Sequence, residues 1–203
     1  MSIPSTPFQP FRLELPGWIT EYLVQQPDTY PTPGARMELV TTLAELNIQY
    51  GTGGPFGAGI FRLDTQQLVA PGVNLVLSSK SSIAHAEIVA IMMTQQAVGS
   101  HHLGAIGLPP HELVTSCEPC GMCLGAISWS GVRQIVCGAR GSDAEAVGFD
   151  EGPKPVNWIT ELEQRGITVT LDIGRTNAFS ILQRYVQNGG EVYNGRQGLK
   201  DRW

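Results

Sequence analysis

Residues 119–123 read Pro-Cys-Gly-Met-Cys, and they stand between a short apolar segment at 113–115 and a second segment with helical spacing. Two cysteines three positions apart at the start of a helix can direct both thiolates at one metal ion. The positive end of the helix dipole also stabilises thiolates there. Alone, a Cys-x-x-Cys pair is common in redox proteins and zinc ribbons, so the pair needs a further ligand before it predicts a particular site.

The sequence His85-Ala86-Glu87 supplies that ligand at the predicted start of an earlier helix. His85, Cys120 and Cys123 together give three zinc ligands, which leaves the fourth tetrahedral position for water, as in catalytic zinc sites. The alternative is a structural site with Cys117 as a fourth ligand, and it would leave Glu87 without a role. Alone, Glu87 would be interpreted as a solvated charge in the first turn of a helix. With the ligands, it is predicted to move protons at a catalytic zinc site.

Helical and strand patterns alternate on both sides of these segments. Apolar residues recur at helical spacing in some segments, and they alternate with polar residues or form short apolar runs in others. Such an alternation is typical of a layered α/β domain. Helices are predicted at 18–24, 35–48, 85–97, 120–129, 157–165 and 176–187, with Ser81 and Ser82 as candidate caps, and strands at 57–63, 67–77, 113–115, 134–138 and 167–171.

Composition narrows the class of protein. The chain has 203 residues, 42% of them hydrophobic, and a formal net charge of -5, so it can bury a sizeable core. Its 13 lysines and arginines form no cluster, which makes a nucleic-acid partner unlikely because such partners require many phosphate-neutralising cations. The N-terminus lacks the pattern of a signal peptide, and no apolar run is long enough to cross a bilayer. We therefore expect a cytoplasmic protein without a membrane partner.

The remaining cysteines and histidines carry weaker signals. Four cysteines in a cytoplasmic chain favour metal binding or catalysis over disulfides. Cys137 lies in an apolar strand and is predicted to be a buried structural thiol. His101, His102 and His111 lie in or beside a loop and are predicted to be ordinary surface residues.

Three motifs resemble the cytidine-deaminase-like superfamily: Pro55-Phe56-Gly57-Ala58, His85-Ala86-Glu87 and TSCEPCGMCLGAI at 115–127. A His-x-Glu motif followed by Pro-Cys-x-x-Cys is the signature of zinc nucleobase deaminases. The Ser-Cys-Glu-Pro-Cys form and Gly148-Phe149-Asp150-Glu151 are similar to bacterial guanine deaminases, and the similarity spans about residues 35–193. The resemblance implies a three-layer α/β/α fold with a mixed central sheet, hydrolysis of guanine to xanthine and ammonia, and a homodimer.

The resemblance agrees with the zinc ligands and Glu87, and it also implies roles for five residues that would contact the substrate. They are a base-binding asparagine at Asn74, pocket-wall aromatics at Phe56 and Trp129, an acidic reader of the guanine edge at Glu151, and a lid tyrosine at Tyr193.

A carboxylate suits guanine, because it can accept from the N1–H and 2-amino donors side by side. Without the family, Asn74 would be interpreted as a turn residue, Trp129 as a core anchor and Glu151 as a loop charge. The sequence departs from the family pattern at Gly121, where Pro or Val is usual, and at Glu151, where Asp is familiar.

The sequence divides into an N-terminal extension at 1–34, a zinc deaminase domain at 35–189 and a tail at 190–203. The resemblance implies that the tail crosses to the partner subunit and closes its active site. Two alternatives to guanine deamination stay open. One is the same reaction on cytosine, a nucleoside, tRNA adenosine or an aminotriazine. The other is a zinc-bearing binding module without catalysis, which would have no need of Glu87.

Overall fold

A computed structural model describes residues 11–195 of the chain. Its strands are β1 (Gly57–Arg62), β2 (Leu68–Val73), β3 (His111–Cys117), β4 (Gln134–Ala139) and β5 (Thr168–Thr170). They form one sheet in the order β2-β1-β3-β4-β5. β1 runs antiparallel to both of its neighbours, whereas β3, β4 and β5 are parallel. The predicted mixed central sheet is confirmed.

Helices cover both faces of this sheet. They are α1 (Gly17–Leu23), α2 (Pro33–Gln49), α3 (Val76–Ser79), α4 (Ala86–Val98), α5 (Gly121–Ser130), α6 (Gly141–Ala146), α7 (Trp158–Glu163) and α8 (Arg175–Gln187). α2 and α8 pack on one face and α4 and α5 on the other. The three-layer α/β/α arrangement is therefore as predicted. No helix within 11–195 combines the length and apolar character that a bilayer span requires.

The central strands are apolar on both faces because each face meets a helical layer. Side chains alternate along a strand, so neighbouring residues enter opposite cores. Leu113 and Ile135 pack with α4 and α5, while Val114 and Val136 pack with α1 and α2. This explains why the middle strands read as continuous apolar runs in the sequence.

Two glycines mark where helices approach the sheet most closely. A Cβ at Gly57 would lie 2.1 Å from the carbonyl oxygen of Val40 in α2. A Cβ at Gly72 would lie 2.1 Å from the carbonyl oxygen of Ala86 in α4. Any larger residue would push these helices away from the strands, and α4 carries part of the predicted metal site.

Two local predictions were wrong, and one short helix was missed. The strand predicted at 67–77 ends at Val73, and a one-turn helix, α3, follows. Neither Ser81 nor Ser82 caps α4, since His85 occupies the N-cap position. The short helix α6 was not predicted. At its start, the carboxylate of Asp143 accepts a hydrogen bond of 2.8 Å from the backbone N–H of Arg140. The helix is too short to give an apolar period in the sequence.

The described part of the N-terminal extension packs against the core. Trp18, Ile19 and Tyr30 are buried in the same apolar cluster as α2. α2 itself begins at Pro33, two residues earlier than predicted, because Thr32 accepts a capping hydrogen bond from the backbone N–H of Ala35. Residues 1–10 lie outside the described part of the chain. The division at residue 34 stays a prediction.

Candidate active site

The three predicted zinc ligands converge at the beginnings of two helices. His85 and Cys120 are the N-cap residues of α4 and α5, and neither uses its side chain to cap its own helix. His85 Nδ1 lies 3.5 Å from Cys120 Sγ and 3.6 Å from Cys123 Sγ. All three ligand atoms lie within 4.8 Å of one another, close enough to share one ion.

This donor set fits zinc with an open coordination position. Two sulfurs and one imidazole nitrogen suit zinc, and among the described residues no fourth His, Cys, Asp or Glu joins the group. Cys117 donates instead to the carbonyl oxygen of Arg140, at 3.6 Å. A hydrogen bond from Cys123 lowers the pKa of Cys120 to about 4, against the effect of burial. The structural-zinc alternative therefore lacks its fourth ligand.

Glu87 stands in the first turn of α4, and its side chain is buried rather than solvated. Burial, followed by the charge of Cys120, raises the pKa of its carboxyl group. Glu87 and two metal ligands, His85 and Cys120, line the same pocket. A buried carboxyl group with a raised pKa beside a metal site suits proton transfer.

The pocket opens beside the metal ligands and holds about 650 Å³ of space, its mouth included. Four of the five predicted substrate-contacting residues line it: Phe56, Asn74, Glu151 and Tyr193. These side chains come from the loop before β1, the end of β2, the loop after α6 and the tail. The topology thus brings distant segments together at one edge of the sheet.

Asn74 is held in place by its backbone and by its side chain. Its backbone N–H donates to the carbonyl oxygen of Phe56 at 3.0 Å. Its side-chain Oδ1 accepts a hydrogen bond of 3.3 Å from the backbone N–H of Val76, at the start of α3. With Oδ1 engaged in this way, the amide NH₂ is the group that Asn74 can offer to a ligand.

Glu151 is a buried carboxylate with an unused acceptor. Its side chain is 8% exposed, and Oε2 has no hydrogen-bond partner among the described residues. Burial, followed by the charge of Cys120, raises the pKa of Glu151 to about 8. Leaving a buried polar atom unpaired costs free energy, so such an atom is expected to meet a ligand.

Aromatic rings form one side of the pocket, but Trp129 is not among them. Phe56 meets Phe149 edge to face, with ring centroids 4.9 Å apart, and Phe149 in turn stacks on Tyr185. Trp129 is 85% exposed and lies outside the pocket that the described residues form. It stands at the far end of α5, about 13 Å along the helix axis from Cys120. It is not a core anchor either.

The described part of the tail folds back on its own chain. The Tyr185 hydroxyl donates to the carbonyl oxygen of Glu191 at 2.8 Å, and the Asn194 amide donates to the carbonyl oxygen of Gly148 at 3.0 Å. Tyr193 lies between these two contacts and is 40% exposed. Residues 196–203 of the predicted lid lie outside the described part of the chain.

Two features beside the site escaped the sequence analysis. Glu118 accepts hydrogen bonds from Lys154 at 2.9 Å and from Arg140 at 3.3 Å, which ties the loop before the cysteines to the loop after Glu151. The second feature is Tyr185, which lines the same pocket. Ion pairs between distant loops leave no periodic signal in a sequence. Phe149 could have been found, because it belongs to the 148–151 motif.

The predictions for Cys137 and for two of the other three histidines are confirmed, and the prediction for the third histidine is not. Cys137 is fully buried, as predicted, and His101 and His102 are exposed. The prediction that His111 is a surface residue is wrong. It is 1% exposed, and its Nδ1 pairs with the carbonyl oxygen of Leu103 at 3.1 Å. Burial lowers its pKa, so it serves as a neutral core residue that anchors the preceding loop.

Several known proteins are similar to this chain. A curated guanine deaminase from Bacillus subtilis (strain 168) is 38% identical over 115 residues, which are 57% of this chain and 69% of that protein. The solved structure of a guanine deaminase from Nitrosomonas europaea is 45% identical, with a TM-score of 0.82 over 88% of this chain and 98% of its own. A solved structure in complex with 2,6-diaminopurine is 46% identical, with a TM-score of 0.85 over 92% of this chain and 98% of its own.

The family model of the cytidine and deoxycytidylate deaminase zinc-binding region matches residues 34–139. This stretch contains all three converging ligands and Glu87. The match covers more than half of the chain, and it agrees with the donor set and the mixed sheet described above. The chain belongs to the cytidine and deoxycytidylate deaminase zinc-binding family.

Proposed function

We propose that this protein hydrolyses guanine to xanthine and ammonia, with zinc held by His85, Cys120 and Cys123. The buried Glu151 carboxylate carries this proposal. Its Oε2 is without a hydrogen-bond partner among the described residues, in a pocket that also contains Glu87. Similarity to two guanine deaminases supports the same substrate.

Guanine matches the groups that this pocket offers. Its N1–H and 2-amino group are adjacent donors, and an ionised Glu151 can accept from both. The NH₂ of Asn74 can donate to an acceptor elsewhere on the base. Phe56, braced by Phe149 at 4.9 Å, provides an apolar wall for the flat ring. Adenine offers no such pair of donors beside N1. Bound adenine would leave the buried Glu151 carboxylate unpaired, and the free-energy cost of this favours guanine over adenine.

Glu87 is the residue that moves protons. Bound zinc would lower the pKa of a coordinated water to about 7 and so make it a nucleophile at neutral pH. Glu87 would transfer both protons of the attacking water. The first would go to ring nitrogen N3 as the water oxygen bonds to C2. The second would go to the 2-amino group as the C2–N bond breaks and ammonia leaves. The burial of Glu87 keeps these transfers away from bulk solvent, and its electrostatic interaction with His85 and Cys120 reflects its closeness to the ligands.

The charge of the pocket argues against a tRNA substrate. Among the described residues that line it, five are acidic and none is lysine or arginine. Such a lining offers phosphate no basic side chain, whereas nucleic-acid sites attract phosphate with cations. The acidic residues are Glu87, Glu118, Asp150, Glu151 and Glu191.

The experiment that tests this function is ammonia release from a panel of guanine, adenine, cytosine, cytidine, guanosine and an aminotriazine. We expect the highest kcat/KM with guanine. A higher value with another compound would assign the same chemistry to that compound. No release from any compound by the zinc-loaded protein would favour a binding module that has lost catalysis.

We further propose that the tail acts as a lid. The Tyr185–Glu191 and Asn194–Gly148 hydrogen bonds support this, because they hold Tyr193 against the pocket. A closed lid would exclude water and strengthen the electrostatic interactions inside. Whether the lid belongs to its own subunit or to a partner can be tested by mixing inactive Glu87→Gln chains with tail-deleted chains. Recovery of activity would require exchange of tails between subunits.

We also propose that the protein is a cytoplasmic homodimer. Met122 and Trp129 lie on one face of α5 and are both exposed, with Gly125 between them. The family resemblance implies a homodimer, and a second copy of the chain would cover this apolar stripe. Light scattering of Trp129→Glu should show monomers if this stripe is the interface, and an unchanged dimer would put the interface elsewhere.

A further inference from the structure

Asn47 connects the substrate-binding Asn74 to a distant part of the fold. It stands near the end of α2 and is completely buried. Its side-chain Nδ2 donates to the carbonyl oxygens of Asn74 and Gly54, both at 2.9 Å. Asn74 and Gly54 both line the pocket. The side-chain amide of Asn47 therefore links two segments of the pocket wall through their backbone carbonyl groups.

Two further side chains orient this amide. The Thr52 hydroxyl donates to Asn47 Oδ1 at 2.6 Å, and Trp18 Nε1–H donates to the Thr52 oxygen at 3.1 Å. An indole N–H can only donate, so the threonine hydroxyl accepts from Trp18 and points its own proton at Asn47. The chain of hydrogen bonds thus has one direction. It fixes which end of the Asn47 amide faces Asn74.

The loop that follows Thr52 lies in direct contact with Asn74. A Cβ at Gly53 would lie 1.8 Å from the Asn74 carbonyl oxygen, and one at Gly54 would lie 3.3 Å from Asn74 Oδ1. Only glycine allows the backbone to pass at Gly53. Because the packing is this close, a small movement of the loop must also move Asn74.

We infer that α1 positions the base-binding Asn74 through the Trp18–Thr52–Asn47 hydrogen-bond relay. The three relay members are positioning residues, because none of them is among the residues that line the pocket. This inference rests on the proposed function, in which Asn74 binds the base. It gives the N-terminal extension a role in substrate affinity, although α1 precedes the family match at 34–139.

The test compares Thr52→Val with Thr52→Ser. Valine keeps the shape of the side chain but removes the hydroxyl, whereas serine retains it. We expect Thr52→Val to raise KM for guanine about fivefold, the equivalent of one neutral hydrogen bond, with kcat unchanged. Thr52→Ser should restore KM to the wild-type value. Asn74→Ala removes the amide that the relay is inferred to position, so adding Thr52→Val to it should cause no further rise in KM.

Tyr50→Leu provides the matched control. The Tyr50 ring stacks on Trp18 at 5.3 Å and is exposed, so this change removes a packing contact of α1 and leaves the relay intact. KM should stay at the wild-type value. A rise equal to that of Thr52→Val would show that packing of α1, rather than the hydrogen bonds, is responsible.

Trp18→Phe replaces Thr52→Val if the latter does not fold, since it removes the N–H donor at the head of the relay and keeps an aromatic ring in its place. Unchanged KM in whichever variant folds overturns the inference. So does an equal rise in KM in the Asn74→Ala background. Failure of the proposed function would look different, because the wild-type protein itself would then release no ammonia from guanine.

Discussion

The backbone N–H of Gly121 donates to the backbone carbonyl oxygen of Glu151 at 2.8 Å. Gly121 directly follows the metal ligand Cys120, so this bond sets the spacing between the metal site and Glu151, whose carboxylate we propose reads the base. A Cβ at Gly121 would lie 3.1 Å from the carbonyl oxygen of Pro153, which shows how closely the loop packs on α5. The loop is held by its backbone, and side-chain changes at Glu151 should leave it in place.

Glu151→Gln should reduce kcat/KM for guanine about tenfold to a hundredfold, because the amide loses one acceptor and turns a donor toward the donors of the base. Steady-state ammonia release measures the loss, and zinc content should stay unchanged. Glu145→Gln is the control, since it removes the same charge from an exposed position nearby. Intact guanine kinetics in Glu151→Gln would mean that other groups read the base.

The pH dependence of kcat/KM should reveal the ionisation of Glu151. Its pKa is raised from 4.5 to about 8, so the group is protonated below its pKa and ionised above it. Only the ionised form accepts both guanine donors. We expect kcat/KM to rise with pH, with a midpoint between 4.5 and 8 because bound zinc offsets part of the Cys120 charge. A profile that is flat over this window would contradict the assignment.

Glu87→Gln should retain zinc and lose turnover. Glutamine preserves the size of the buried side chain, but it cannot carry protons between water and the base. General acid–base catalysis typically contributes about 10²–10⁴-fold, and a group that serves several steps should contribute at the upper end. Metal analysis and ammonia release together measure the two effects. Near-normal turnover would exclude Glu87 as the proton carrier.

Cys120→Ala and Cys123→Ala should each lose zinc and fold less stably, because both thiolates tie the start of α5 to the start of α4. Cys137→Ala is the matched control, since this thiol is fully buried and lies outside the ligand group. That variant should lose stability through a cavity while it keeps its zinc. Equal zinc content in all three variants would place the ion elsewhere.

Deletion from Gly190 onward should preserve zinc and the fold but reduce turnover sharply. It removes Tyr193 from the pocket and leaves the Tyr185 hydroxyl without the Glu191 carbonyl oxygen. Loss of that hydrogen bond should lower the free energy of unfolding by about 1 kcal/mol. Thermal unfolding and ammonia release separate the two effects. Full-rate deamination by the shortened chain would rule out a lid.

Sequence patterns predicted the layers and the pair of cysteine ligands because both are local. Leu113 and Val114 alternate within one strand, and Cys120 and Cys123 lie within one helical turn, so neither signal needs knowledge of distant residues. Contacts between distant loops gave no such signal. Lys154 and Glu118 lie 36 positions apart, and only the folded chain brings their side chains together.

Trp129 illustrates a different limit. It closely follows a motif of which Cys117, Glu118 and Cys120 line the pocket, yet its helix carries it away from the ligands and into solvent. Family resemblance gives a residue its place along an element, but the surroundings of that place depend on everything else that packs there, a second subunit included. A single sequence does not contain that information.

The ligands His85 and Cys120 lie 35 positions apart in the chain. An ion held by both would close a long loop and restrict the unfolded chain in the way that a disulfide does. For a loop of this length the chain-entropy model gives about 4 kcal/mol of stabilisation. Proteases attack the unfolded chain, so a chelator should shorten the lifetime of this protein during digestion, and added zinc should extend it by mass action.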